Sequence, residues 1–159
     1  MDRATRKKVL SKIPYGLFIL GSRDNSAEGV MMIANWISQV SFDPPLLVVS
    51  IEEDSDMCSY IETSKYFSVN MLASGNKEIA KAFLKKFKGK KNLQTSFEMS
   101  VGKGGMPFLN NAVASLECKV VQSMKAGDHV IFLGEIVDGM DRGDEEILTL
   151  KETGWKYSR

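Results

Sequence analysis

Residues 33–51 read IANWISQVSFDPPLLVVSI, and the way this stretch divides decides the fold. Asp43-Pro44-Pro45 cannot continue a helix or a central strand, because proline has no amide hydrogen to give and its ring fixes φ. The break separates two apolar runs. Leu46 to Ile51 (LLVVSI) is short, branched and continuous, the pattern of a strand buried on both faces. Val30 to Ser41 is longer, and Asn35, Ser38 and Gln39 fall off the beat of a two-residue alternation. That spacing predicts one long strand that is bent or bulged.

Working outward, Tyr15 to Ser22 predicts a strand and Arg23 to Gly29 (RDNSAEG) a turn. Tyr66 to Leu72 (YFSVNML) predicts another strand. Ala112 to Met124 and His129 to Met140 predict two long ones about a turn at Lys125-Ala126-Gly127-Asp128, and Glu146 to Lys151 a last short one. Gly102 to Pro107 (GKGGMP) reads as a loop. Helical spacing occurs three times. Ala4 to Ile13 has Ala4, Val9 and Leu10 as apolar contacts and ends before Pro14. Ser55 to Ser64, capped by Asp54 or Ser55, presents Met57, Tyr60 and Ile61. Asn76 to Phe87 turns Ile79, Ala80 and Phe83 inward. The pattern is mainly β with inserted helices and lacks regular strand-helix alternation, so a β-barrel is expected over a doubly wound sheet. No repeat or linker divides residues 1–159, which predicts a single domain.

The totals exclude several function classes. A chain of 159 residues with 43% hydrophobic and 26% charged residues can bury a full core without staples. A net charge of +1 gives no global reason to expect nucleic acid or an anionic membrane as partner. Cys58 and Cys118 stand far apart and His129 is the only histidine, so a disulfide framework, a zinc site or a multi-histidine metal site is not expected. Met1 to Lys12 is basic but has no apolar run behind it, and no stretch approaches the roughly 20 apolar residues of a membrane span. A cytoplasmic protein with reduced thiols is the expectation. The lysine-rich Lys85 to Lys91 reads as a solvated helix end and loop in preference to a phosphate or nucleic-acid contact.

Side-chain chemistry is sparse. There is no GxxxxGK[ST] loop, no G-x-S-x-G elbow, and Gly102-Lys103-Gly104-Gly105 lacks the strand-loop-helix setting of a dinucleotide fingerprint. Carboxylates fall in surface-like runs such as Glu52-Glu53-Asp54, and no pair stands out as buried. By elimination, a cofactor carries the chemistry.

Several short pieces, in order, point to which cofactor. They are Ile33-Ala34-Asn35-Trp36, Gln39-Val40-Ser41, Asp43-Pro44-Pro45, Ser50-Ile51, Asp54-Ser55-x-Met57 and Phe67-Ser68-Val69-Asn70-Met71-Leu72. Gly105-x-Pro107, Leu109 to Cys118, Gly127-Asp128-His129 with Gly134-Glu135, and Thr153-Gly154-Trp155-x-Tyr157 continue the series. Together they resemble the flavin reductase-like family of FMN-binding split β-barrels, over nearly the whole chain past the first helix. The resemblance implies a Greek-key split barrel that pairs as a homodimer, with the flavin at the interface and Trp155 and Tyr157 over it. It implies FMN, with FAD as an alternative, and NADH or NADPH as electron donor. The activity implied is an NAD(P)H oxidoreductase passing electrons to a flavin, iron or a protein. An electron-transfer flavoprotein served by partners such as rubredoxin, without direct NAD(P)H oxidation, is the alternative. A non-redox binding module on the same barrel is a third.

Carried over residue by residue, the resemblance places Ile33, Ala34, Asn35 and Trp36 at the flavin ring. Ser38 and Gln39 fall at the ribityl chain, and Ser50, Ile51, Ser55, Met57 and Cys58 toward the phosphate. Each has a structural alternative: Asn35 as a hydrogen-bonded residue at a bulge, Trp36 as core, Ser38 and Gln39 as strand-edge groups, Ser55 as a plain N-cap. His129 corresponds to a histidine that faces the flavin cavity and orients the nicotinamide, or else is structural. Asp54 stands where many members carry Asn, and Met57 and Cys58 where some carry a hydroxyl or histidine.

Overall fold

The computed structural model describes residues 1–84 and 97–157. Its strands are β1 (Phe18–Arg23), β2 (Gly29–Ala34), β3 (Ile37–Phe42), β4 (Pro45–Glu52), β5 (Tyr66–Met71), β6 (Met99–Val101), β7 (Pro107–Leu109), β8 (Ala114–Ala126) and β9 (His129–Asp141). Seven of these form one antiparallel sheet in the order β2-β1-β5-β8-β9-β4-β3, and β6 pairs with β7 beside it. Consecutive strands β2 and β3 are the two edges of that sheet. The sheet therefore curls until its edges approach without joining, which is a split barrel.

The expected long strand over Val30 to Ser41 is thus two strands. The chain stops pairing with β1 at Ala34 and starts pairing with β4 at Ile37. The off-beat Asn35 marks a change of sheet edge at Asn35-Trp36, and an irregularity of the expected kind follows in β3, where the register against β4 shifts between Gln39 and Ser41. Leu46 to Ile51 also differs from its reading. Leu47, Val49 and Ile51 are buried, whereas Leu46, Val48 and Ser50 are half-buried, so only one face of β4 is fully covered.

Two apolar clusters fill the fold. One holds Leu20, Val30, Val49, Ile51, Phe67 and Phe132 with Met57, Cys58 and Ile61 of helix α2 (Asp56–Ser64). The other holds Ile19, Met31, Leu72 and Leu148 with Ala80 of helix α3 (Lys77–Lys81) and Phe83 after it. Ile19 and Leu20, like Val30 and Met31, send successive side chains into different clusters, as strand alternation requires. The β1–β2 corner is consequently buried on both faces. Gly134 lets β9 cross Phe67 and Cys118 closely, since a Cβ there would stand 2.6 Å from the Phe67 ring.

Buried polar groups tie the β6–β7 hairpin to this sheet. Asn70 is fully buried and spends both ends of its amide. Its Nδ2 donates to Ile19 O at 3.2 Å, and its Oδ1 accepts from Leu109 N and Ser115 Oγ, both at 2.8 Å. Glu117, also fully buried, accepts from the backbone N–H groups of Gly104 and of Met106 (2.9 Å). That buried carboxylate was not foreseen in the sequence.

The ends of the chain depart from expectation as well. Helix α1 (Arg3–Leu10) forms but buries none of its residues, so Ala4, Val9 and Leu10 are not core contacts. Glu146 to Lys151 makes two isolated bridges, Ala73 with Ile147 and Gly16 with Thr149, before helix α4 (Leu150–Thr153) turns the chain. The helix expected over Asn76 to Phe87 is confined to α3 in the described part. Residues 82–84 are not helical, and residues 85–87 of that reading, with the whole of the Lys85 to Lys91 stretch, lie outside the described residues.

Candidate active site

A cavity of about 420 Å³ opens where the sheet edges approach. One wall is the end of β2 with Ile33, Ala34 and Asn35, and another is the end of β4 with Ser50 and Ile51. The first turn of α2 adds Ser55 and Met57, and Phe83, Leu84 and the tail residues Trp155 to Tyr157 complete the lining named here. The seam arises because β2 and β3 part at Asn35. Each side is then pinned: Ile33 N donates to Phe83 O at 3.3 Å, and Ser50 N donates to Trp36 O at 3.0 Å.

Most of the lining is apolar, which suits a flat aromatic ligand. Asn35 is buried, and its Nδ2 is among the few buried side-chain polar atoms with no partner in the described structure. An unpaired buried amide is costly, so an acceptor on a ligand would satisfy it. Ser55 caps α2, its Oγ accepting from Met57 N at 3.3 Å while Cys58 N donates to Ser55 O at 3.0 Å, so the cavity meets the positive end of this nine-residue helix. A flavin fits these donors: apolar walls for its ring, an amide donor at its carbonyl edge, and hydroxyls with a helix start for its chain. The rim is less suited to the phosphate, because Glu52, Asp54 and Asp56 surround Ser55. Burial pushes the Tyr60 phenol upward, with the Asp56 and Asp24 carboxylates adding to it.

Seven of the residues assigned by resemblance line this cavity: Ile33, Ala34, Asn35, Ser50, Ile51, Ser55 and Met57. Five do not. Ser38 and Gln39 are exposed on β3 and bond locally, Ser38 Oγ to Gln39 O and Gln39 Nε2 to Ser41 O. They follow the edge switch, so they travel to the opposite sheet edge from Asn35. Cys58 points into the first core cluster, where burial, helped by Glu62 and Glu53, pushes its thiol up to about 11. Trp36 turns away from Asn35 and stacks on His129, centroids 4.6 Å apart. His129 is itself buried, with Nδ1 2.6 Å from Asp128 Oδ1 and Nε2 3.3 Å from the Tyr157 hydroxyl.

The tail was under-read. Trp155 and Tyr157 are cavity residues of their own chain. The signal that could have found them is local: Thr149 caps α4 and Gly154 adopts a positive φ, so the chain must fold back there. Phe83 and Leu84 were also missed as lining, because a helix read as turning Phe83 into the core gave no hint that its end meets β2.

Among the described residues, no group of three or more His, Cys, Asp or Glu could hold a metal, and no helix is long and apolar enough to cross a membrane.

Comparison with known proteins agrees with this geometry. The profile of the flavin reductase like domain matches residues 10–156. Diflavin flavoprotein A 1 of Synechocystis sp. is 32% identical over 134 residues, 84% of this chain, which spans only 23% of that longer protein. The ferric-chelate reductase (NAD(P)H) of Archaeoglobus fulgidus is 32% identical over 143 residues, covering 87% of this chain and 82% of its own. The NADH:FAD oxidoreductase of Streptomyces globisporus superposes with a TM-score of 0.83 at 27% identity, over 93% of this chain and 88% of its own. The chain belongs to the flavin reductase-like domain family.

Proposed function

We propose that the protein is an NAD(P)H-dependent flavin reductase that holds FMN in the cavity between β2, β4 and α2. The carrying observation is the buried, unpartnered Asn35 amide in a mostly apolar cavity. A bound flavin supplies hydride acceptance and onward transfer of electrons. The chain's own residues do the rest. Val30, Met32, Ile51 and Met57 exclude water from the ring face, which strengthens any hydrogen bond made inside. Asn35 Nδ2 would donate to a flavin carbonyl and so favour the electron-rich reduced form. Ser50, Ser55 and the positive end of α2 would hold the polar chain. His129, assigned to the nicotinamide by the family resemblance, lies outside the cavity lining and meets it through the Tyr157 hydroxyl, and no protein base is needed for hydride transfer.

The relatives named as an NADH-dependent FAD reductase and a ferric-chelate reductase support this reading. They also keep FAD open as the flavin, and flavin, iron or a protein open as acceptor. The protein acts as a homodimer in this reading. A second reading, electron transfer with protein partners, is favoured by the diflavin flavoproteins, in which the matched part is about a quarter of a longer chain. The test is oxidation of NADH and NADPH with and without added FMN, FAD or riboflavin. Flavin-dependent oxidation supports the reductase; its absence with all three flavins, while FMN still binds, supports the second reading.

A further inference from the structure

The cavity is not confined to one face of the sheet. Strand β2 is a sheet edge, and its side chains alternate between two faces. Met32 and Ala34 pack on the first apolar cluster, and Ile33 between them packs on the second. All three line the cavity. The cavity therefore reaches both faces of β2 and has one lobe on each.

The two lobes differ in chemistry. Ile51 and Met57, of the first cluster, bring β4 and α2 to the first lobe. With those elements come every carboxylate of the lining, Glu52, Asp54 and Asp56, and the hydroxyls of Ser50 and Ser55. The second lobe is walled by Leu17, Ile33, Phe83, Leu84, Leu150 and Trp155. All but Leu84 belong to the second cluster or pack on it, and Leu84, 44% exposed, follows Phe83 directly. These walls are held from behind. Leu150 N donates to Tyr15 O at 3.0 Å, and Trp155 N donates to Thr153 Oγ1 at 3.1 Å. Lys77 Nζ stands 5.6 Å from the centre of the Trp155 ring.

We propose, on the reductase reading above, that the second lobe is the subsite of the electron acceptor, and that the acceptor is a planar, uncharged conjugated ring, either a quinone or the ring of a second flavin. Trp155 is its specificity-determining residue. Apolar walls carrying the rings of Phe83 and Trp155 favour such a molecule by burial and stacking, and give a charged ferric chelate no partner. The acceptor ring takes up two electrons and two protons. NADH supplies both electrons and one proton as a hydride by way of the bound flavin, leaving as NAD+, and solvent supplies the second proton.

The test compares the FMN-saturated wild-type protein with Trp155→Ala, Trp155→Phe and Leu84→Gln. The acceptors are menadione, riboflavin and ferric-EDTA, and calorimetry reads the dissociation constants of menadione and riboflavin for the oxidised protein. Trp155→Ala is expected to raise the KM for menadione or riboflavin, relative to that for ferric-EDTA, by about three- to tenfold, the range one aromatic stacking contact supplies. Binding of the same ring is expected to weaken by that factor. A shift for menadione alone makes the acceptor a quinone, and a shift for riboflavin alone makes it a second flavin. Trp155→Phe is expected to restore most of the loss. Leu84→Gln, at an exposed position, is expected to move the ratio the same way with an unchanged thermal melt. Equal KM shifts for all three acceptors overturn the proposal, as does binding of both rings unchanged in Trp155→Ala. An FMN dissociation constant raised as much as that of the acceptor also overturns it, because the lobe then belongs to the flavin already held. If the wild-type protein oxidises neither nicotinamide, it is the reductase reading that fails. Menadione binding to the flavin-free protein, with and without Trp155, then decides by itself whether the lobe takes a planar ring.

Discussion

Asn35 faces the cavity, whereas Trp36, its neighbour in sequence, lies on the His129 ring with centroids 4.6 Å apart and planes tilted by 36°. Two adjacent residues thus serve opposite sides of the same wall. The divergence follows from the backbone. Asn35 ends the run along β2, and Trp36 begins the crossing to β3, where its carbonyl accepts from Ser50.

Asn35→Ala should weaken flavin binding without weakening the fold. The substitution removes a donor that has no partner inside the described structure, so the unliganded protein loses no hydrogen bond. In the complex it loses about 1 kcal/mol, or roughly a fivefold rise in the flavin dissociation constant. A fluorescence titration with FMN, paired with a thermal melt of the unliganded protein, reads both effects. A melt lowered by several degrees with unchanged flavin affinity would make Asn35 a structural residue.

The acidic rim predicts a dependence on the flavin's phosphate. Asp54 is exposed at the cavity mouth beside Ser55, where an anion would sit. Asp54→Asn should tighten FMN by about two- to fourfold, the modest scale of exposed charge interactions, and the gain should shrink with added salt. Riboflavin, which has no phosphate, should bind both proteins alike. Equal tightening for riboflavin would place the effect somewhere other than the phosphate.

Glu117 anchors the Gly102–Pro107 loop through two backbone N–H groups from inside the protein. Glu117→Ala leaves those donors buried and unpaired, and should cost about 2–5 kcal/mol in urea denaturation. A loss well below 1 kcal/mol would mean that the loop finds other acceptors. Asn70 does the same for Leu109, and its removal should be comparably damaging.

The thiols should be inert in the folded protein. Burial pushes Cys58 up to about 11 and Cys118 up to about 12, with Glu117 adding to the latter. An aromatic disulfide reagent at neutral pH should react slowly with both until denaturant is added. The linkage has a definite sign. Each folded thiol holds its proton more tightly than in the unfolded chain, whose value is near 9.0, so its contribution is complete below 9.0. Stability should fall as pH rises from 9.0 toward about 11 and about 12, and less so in a Cys58→Ala, Cys118→Ala protein.

What could be read beforehand was what local pattern and motif order encode. The β8–β9 hairpin about Gly127, the cap at Ser55 and the strand Tyr66 to Leu72 each have turn or cap chemistry within a few residues. The break at Asn35-Trp36 has none. Its cause is that β2 pairs with β1 and β3 with β4, and alternation alone cannot separate a bulge from a two-residue crossing between sheet edges. The same blind spot sent Ser38 and Gln39 to the cavity when the crossing carries them to the other edge. Trp36, His129 and Tyr157 are 28 to 121 residues apart in sequence, so nothing local announces that their rings meet. Asn35 and Ser55 could be named because each sits where backbone geometry, at a strand end and a helix start, forces it toward the seam.

The measurement that bears most directly on the central claim is an anaerobic visible spectrum of the protein with FMN, before and after NADH. The account predicts a protein-bound flavin band that bleaches on adding NADH and does so more slowly, at limiting FMN, in Asn35→Ala. A band that persists with NADH and NADPH but bleaches with dithionite would contradict direct reduction by a nicotinamide. No bound flavin at all would contradict the cavity as its site.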